Sequence, residues 1–119
     1  MDEPASSARR QLEARAQRGF KGYPVGTVAY YGPDNQFASK VAVGIILKEG
    51  GEAEHMEKWL SPDIDVRKDA SALQAILELL DVHRVRSVVL TPGIYGCPHE
   101  EGIDYPKGKA CPHCPFWAG

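Results

Sequence analysis

No cysteine occurs in residues 1–96 of this 119-residue chain; all three lie near its end, at Cys97, Cys111 and Cys114. Three thiols leave one over, which excludes a framework closed only by internal disulfides. Long apolar runs are missing as well: no uninterrupted stretch approaches the roughly 20 residues of a membrane-spanning helix. No apolar segment follows the N-terminus, so nothing reads as a secretory signal. A cytoplasmic location is therefore the expectation, and there thiols stay reduced and open to metals. Nor is there an excess of positive charge. Fourteen Lys and Arg face sixteen Asp and Glu, a net −2, which argues against a general nucleic-acid binder.

What is present is the composition of one ordinary globular domain, 43% hydrophobic and 25% charged. Residues 1–22 hold Arg9, Arg10, Arg15, Arg18 and Lys21 against Asp2, Glu3 and Glu13. That excess is too small for a polybasic arm and reads as a solvated helix face. Residues 5–18 are good helix formers, but Leu12 is their only large apolar side chain. A helix with so little to bury is expected to be frayed or to need a partner. Residues 1–22 are thus expected to be a helical or flexible segment, and 23–119 a single domain.

Val25–Tyr31 and Phe37–Lys48 read as two strands of a hairpin, joined by the turn residues Gly32-Pro33-Asp34-Asn35. In the second, Val41, Val43, Ile45 and Leu47 share one face while Ala42, Gly44 and Ile46 share the other. Two apolar faces predict a central strand covered on both sides. Glu54–Leu60 is a possible third strand. Asp69, or Ser71 with Gln74, caps a helix over about residues 70–83, whose Leu73, Ile76, Leu77 and Leu80 form a core-facing stripe. Val85 and Val88–Leu90 read as a buried strand, stopped by Thr91-Pro92-Gly93. The expected fold is α+β, with a small, mainly antiparallel sheet. Residues 91–119 show no clear periodicity, with the metal-binding loop placed at 94–119, and a loop that long needs something else to organise it.

A metal would supply that organisation. The candidate ligands are Cys97, His99, Cys111 and Cys114, with His113 as an alternate for the imidazole. In Cys111-x-x-Cys114 two residues separate the sulfurs, so both reach one ion from a single turn. Cys97 and His99, at i and i+2, point the same way from an extended segment. Three sulfurs and one imidazole suit zinc (Zn2+), and four protein ligands make a closed, structural site. Pro98, Pro112 and Pro115 follow the cysteines, stiffening the turns and withholding N–H donors from the sulfurs. Tyr95, Tyr105, Phe116 and Trp117 are expected to wall the site from water, and Glu100, Glu101 and Asp104 to form an exposed acidic loop. His83, near a helix C-terminus, is explained by the helix dipole.

Three other chemistries share parts of this pattern. Cys111-Pro112-His113-Cys114 is the motif of strongly oxidising thiol oxidoreductases, but these need a helix and most of a domain downstream. His99-Glu100-Glu101 before Cys111-x-x-Cys114 echoes the zinc deaminases, with Ala110 where proline would stand. A nucleic-acid zinc ribbon would want cations between the ligand pairs, where Lys107 and Lys109 are outweighed by Glu100, Glu101 and Asp104. The favoured reading is a non-enzymatic metal-binding module with an unknown protein partner; nucleic acid and membrane are not expected partners.

The run Gly96-Cys97-Pro98-His99-Glu100-Glu101-Gly102-Ile103-Asp104-Tyr105-Pro106 … Cys111-Pro112-His113-Cys114-Pro115-Phe116-Trp117, with Tyr30-Tyr31-Gly32-Pro33-Asp34, resembles that of a group of short, uncharacterised bacterial proteins. The resemblance spans most of residues 25–119. It implies no activity and no catalytic residue, only that the cysteine–histidine cluster is one unit.

Overall fold

The computed structural model describes residues 3–100, 102–109, 111, 112, 114 and 116. The elements run α1 (Glu3–Gln17), β1 (Val25–Tyr31), β2 (Lys40–Ile46), β3 (Ala53–Leu60), α2 (Ala70–Val82) and β4 (Ser87–Gly96). One four-stranded sheet has the order β3-β2-β1-β4. β1–β2 and β2–β3 pair antiparallel, whereas β4 lies parallel to β1. The fold is α+β, as the element pattern predicts, and Glu54–Leu60 does belong to a third strand.

Side-chain parity sorts the sheet into two unlike faces. Val28, Tyr30, Val41, Val43 and Ile45 point into the core, where α2 contributes Leu73, Ile76 and Leu80 and β4 contributes Val88. Gly26 sits on this face because a Cβ there would stand 2.6 Å from Leu80. Asp69 caps α2, its carboxylate accepting from the Ala72 N–H at 3.2 Å. Both helices pack on this one face, so the cover expected on both sides of β2 is supplied by helices on one side only. On the other face short residues at Ala42 and Gly44 let Met56 lie flat, its sulfur 2.8 Å from where a Gly44 Cβ would stand. Leu47 falls beyond the end of β2 and is half exposed.

The N-terminal helix departs from its expectation. It is packed, not frayed. Ala5, Ala8 and Leu12 are buried at 2%, 2% and 0% exposure, and Ala16 packs at the core margin. Counting large apolar residues misses this, because alanines at i, i+3 and i+11 (Ala5, Ala8 and Ala16) let the backbone approach so closely that one leucine at i+7 suffices as an anchor. Arg15 adds an ion pair to Asp81 of α2 at 2.9 Å and a hydrogen bond to the Val85 carbonyl at 3.3 Å.

β4 also runs further than expected. It continues through Pro92 and Gly93 to Gly96, with register shifts against β1 between Val28 and Tyr30 and again between Tyr30 and Tyr31. An edge strand tolerates a proline where a central one would lose a ladder bond. A packed α1 makes a definite prediction: Leu12→Ala should lower the free energy of unfolding by about 2–5 kcal/mol. The urea midpoint should drop with the slope unchanged; a loss below about 1 kcal/mol would show that the helix frays.

Candidate metal centre

β4 delivers the chain to the cluster from a fixed point. Gly96 pairs with Tyr31, and its carbonyl accepts the Gly32 N–H at 2.8 Å, one residue before Cys97. Gly32 can be nothing larger, since a Cβ would stand 1.7 Å from the Phe37 carbonyl oxygen. From there the chain turns back at Pro98, and the His99 N–H donates to the Cys97 sulfur at 3.3 Å. The donor that Pro98 withholds is thus supplied one residue later, which corrects the expectation for Cys97 of a sulfur left without one.

The four expected ligands meet. His99 Nδ1 stands 3.4 Å from the sulfurs of both Cys97 and Cys111 and 3.5 Å from that of Cys114. All four donor atoms lie within 4.8 Å of one another. A tetrahedral ion with ordinary Zn–S and Zn–N bond lengths requires about 3.6 Å between nitrogen and each sulfur. The group could therefore hold a metal ion. Cys111 and Cys114 are buried, Cys97 and His99 half-buried. Glu101, Ala110, His113, Pro115 and Trp117 lie outside the described residues.

A compact turn organises the segment between the ligand pairs. The Glu100 carbonyl accepts the N–H groups of Ile103 and Asp104, and the Asp104 carboxylate accepts the Glu100 N–H at 2.7 Å. Gly102 and Gly108 adopt positive φ, 86° and 84°, which glycine alone takes without strain. Glu100 is not part of a free acidic loop: its carboxylate is bound by Lys58 and by Lys40, the latter at 3.3 Å. Lys58 first, with Lys40 behind it, holds the Glu100 carboxyl below the usual range. Lys40 also donates to the Pro98 carbonyl at 2.9 Å and lies over the Tyr31 ring. Its side chain is only 8% exposed. This lysine fastens the ligand loop to the end of β2.

Of the expected aromatic wall, Tyr95 is 70% exposed and stands edge-on to Tyr31, not over the cluster. Phe116 is half exposed and Tyr105 intermediate. His83 caps α2 at its C-terminus and its ring lies 4.8 Å from that of His55, whose Nε2 is 2.8 Å from Glu57. Neither histidine belongs to the cluster.

Without a cation the surroundings of Cys97 and Cys114 keep their thiols protonated. Burial first, and then the neighbouring Cys97 and Cys111, push the Cys114 thiol up to about 12. Burial likewise raises Cys97, against the N–H of His99. Both shifts run opposite to those of an activated nucleophile. Cys111 does not open a helix, as the thiol oxidoreductase arrangement would require. Beside the cluster a groove of about 580 Å3 is lined by Phe37, Leu60, Lys58, Pro98, His99 and Cys114.

Lys40 and Lys58 were not singled out by sequence reasoning. The available signal was Lys40 itself, a lone cation at the start of the apolar run Val41–Leu47. The chain matches no protein-family model, no curated protein and no solved structure. If Lys40 fastens the loop, Lys40→Met should cost on the order of 1–3 kcal/mol and speed amide exchange over residues 99–105. Exposed Lys58→Ala should cost less than about 1 kcal/mol; equal effects of the two changes would rule out the fastening role.

Proposed function

We propose that this protein is a zinc-dependent module in which Cys97, His99, Cys111 and Cys114 form a structural Cys3His site, and that it acts by presenting a metal-ordered surface to a protein partner rather than by catalysis. The observation that carries this reading is the near-equal spacing of His99 Nδ1 from three sulfurs. Soft thiolates with one imidazole in a tetrahedral set favour zinc among the common divalent ions. Four protein ligands leave no position for a reacting water, which sets this apart from the open sites of zinc hydrolases and deaminases. The likeness of the run 96–117 to that of short bacterial proteins fits a cluster that acts as one unit.

The ion would order the segment carrying Glu100 and so complete the contact with Lys40 and Lys58. Structural zinc contributes on the order of 10 kcal/mol of apparent free energy in small peptides, enough to order a loop with little core of its own. Elemental analysis of the purified protein should give one zinc per chain. Chelation should then release fast amide exchange over residues 97–114, while β1, β2 and α2 keep their protection. With zinc bound, the thiols should react slowly with a thiol reagent; rapid modification near neutral pH would instead mark a catalytic cysteine. Metal-free protein with an ordered loop would overturn the proposal.

A further inference from the structure

On the opposite face of the sheet the β1–β4 ladder opens. It is regular from Val25↔Ser87 to Val28↔Leu90, and then Tyr30 pairs with Ile94. The extra residues form a bulge in which Gly93 takes a positive φ of 78° and the Thr91 hydroxyl accepts the Tyr30 N–H at 3.4 Å. Between the bulge, α1 and the turn at Val66–Lys68 lies a cavity of about 470 Å3. It stands near the carboxyl ends of the parallel pair, where open sheets of this kind bind ligands, and bulges recur beside such sites.

Its polar lining combines the donors Arg67, Arg9 and the Tyr30 hydroxyl with Gln17, Thr91 and the Glu13 carboxylate, and both guanidiniums are held in place by other bonds. Arg67 spends Nε and Nη2 on Asp65, at 2.8 and 2.7 Å, and gives Nη2 also to the Gln36 carbonyl. Its Nη1 makes no hydrogen bond among the described residues. Arg9 is tied to Glu13 through Nε at 3.1 Å, which leaves both its terminal nitrogens without a bond among the same residues. Tyr30 is 4% exposed, with Arg67 6.0 Å from its ring centroid. Its hydroxyl bonds to none of the described residues, yet among those residues no fully buried side-chain polar atom lacks a partner. The hydroxyl is therefore reached from the cavity. Burial pushes the phenol up to about 12 against the pull of Arg9, so at neutral pH it is a donor. Leu90 and Ala16 supply the apolar part of the lining.

We infer that this cavity binds a small molecule carrying one oxyanion on a compact apolar body, with Arg9, Arg67 and Tyr30 as donors to the anion. The two terminal nitrogens of Arg9, pre-oriented by Glu13, match phosphate and carboxylate geometry, and Arg67 adds Nη1. The volume suits a small organic ligand. Glu13 competes for Arg9 and limits the affinity.

Phenyl phosphate, benzoate and inorganic phosphate, each titrated separately into the full metal-loaded chain and followed by amide shifts and calorimetry, test this. At least one probe should bind saturably at millimolar concentration or below, with shifts centred on residues 9–17, 30, 67 and 90–93. Preference between phenyl phosphate and benzoate tells which oxyanion the donors take. Arg9→Gln should weaken binding about tenfold, the loss expected of one charge-assisted contact. Glu13→Gln should tighten it, an outcome that a merely structural Arg9–Glu13 pair would not produce. No saturation with any of the three, shifts centred elsewhere, or affinity unmoved in both variants would overturn the inference.

Discussion

His99 Nδ1 lies within 3.5 Å of three separate sulfurs, and that contact brings Cys97 together with Cys111 and Cys114 from the far side of the loop. The segment has little apolar surface to bury: Ile103 is 76% exposed, and the residues between the ligand pairs are mostly polar or glycine. Ordering each backbone residue costs roughly 1–2 kcal/mol in lost entropy. A loop of this length cannot meet that cost by packing. It can meet it by binding an ion, because two buried thiols, the half-buried Cys97 and an imidazole at ligand distance are well placed as a coordination set. Without a cation the same crowding opposes ionisation, as the upward shift of Cys114 shows.

The cluster is joined to the domain through two connections of different kinds. The first is covalent and rigid: β4 ends at Gly96, hydrogen-bonded to Gly32, so Cys97 starts from a defined position. The second is electrostatic: Lys40 and Lys58 project from neighbouring strands on the helix-free face, and Glu100 bridges them. Burying most of a lysine is costly unless its donors are satisfied. Lys40 satisfies them with the Pro98 carbonyl and the Glu100 carboxylate, both supplied by the ligand loop itself. Sheet and loop therefore depend on each other. The same division of labour appears on the other face, where Asp65 and Glu13 hold Arg67 and Arg9 through part of each guanidinium and leave the remainder directed at the cavity.

Much of this was readable along the chain. Val25–Tyr31, the cap at Asp69 and the stripe Leu73, Ile76 and Leu80 are local patterns whose period and punctuation state their own structure, and each lies where its pattern put it. The four ligand candidates could be named because sulfur and imidazole at short spacing have few other uses. Other features resisted the same reading. A helix whose contact face is Ala5, Ala8 and Ala16 around one leucine looks polar in composition. A strand that passes through Pro92 and Gly93 looks ended. In both cases the deciding partner lies far away in the chain.

Sequence alone determined the α+β class, the central place of β2 and the identity of the clustered sulfurs, because each depends on residue type within a few positions of itself. Tertiary structure alone decided that β4 pairs parallel to β1, that Glu100 is held by Lys40 and Lys58 rather than free in water, and that Arg9, Tyr30 and Arg67 share one cavity. Those outcomes depend on contacts between residues as far apart in the chain as Tyr31 and Gly96, and no local period records which distant groups will meet.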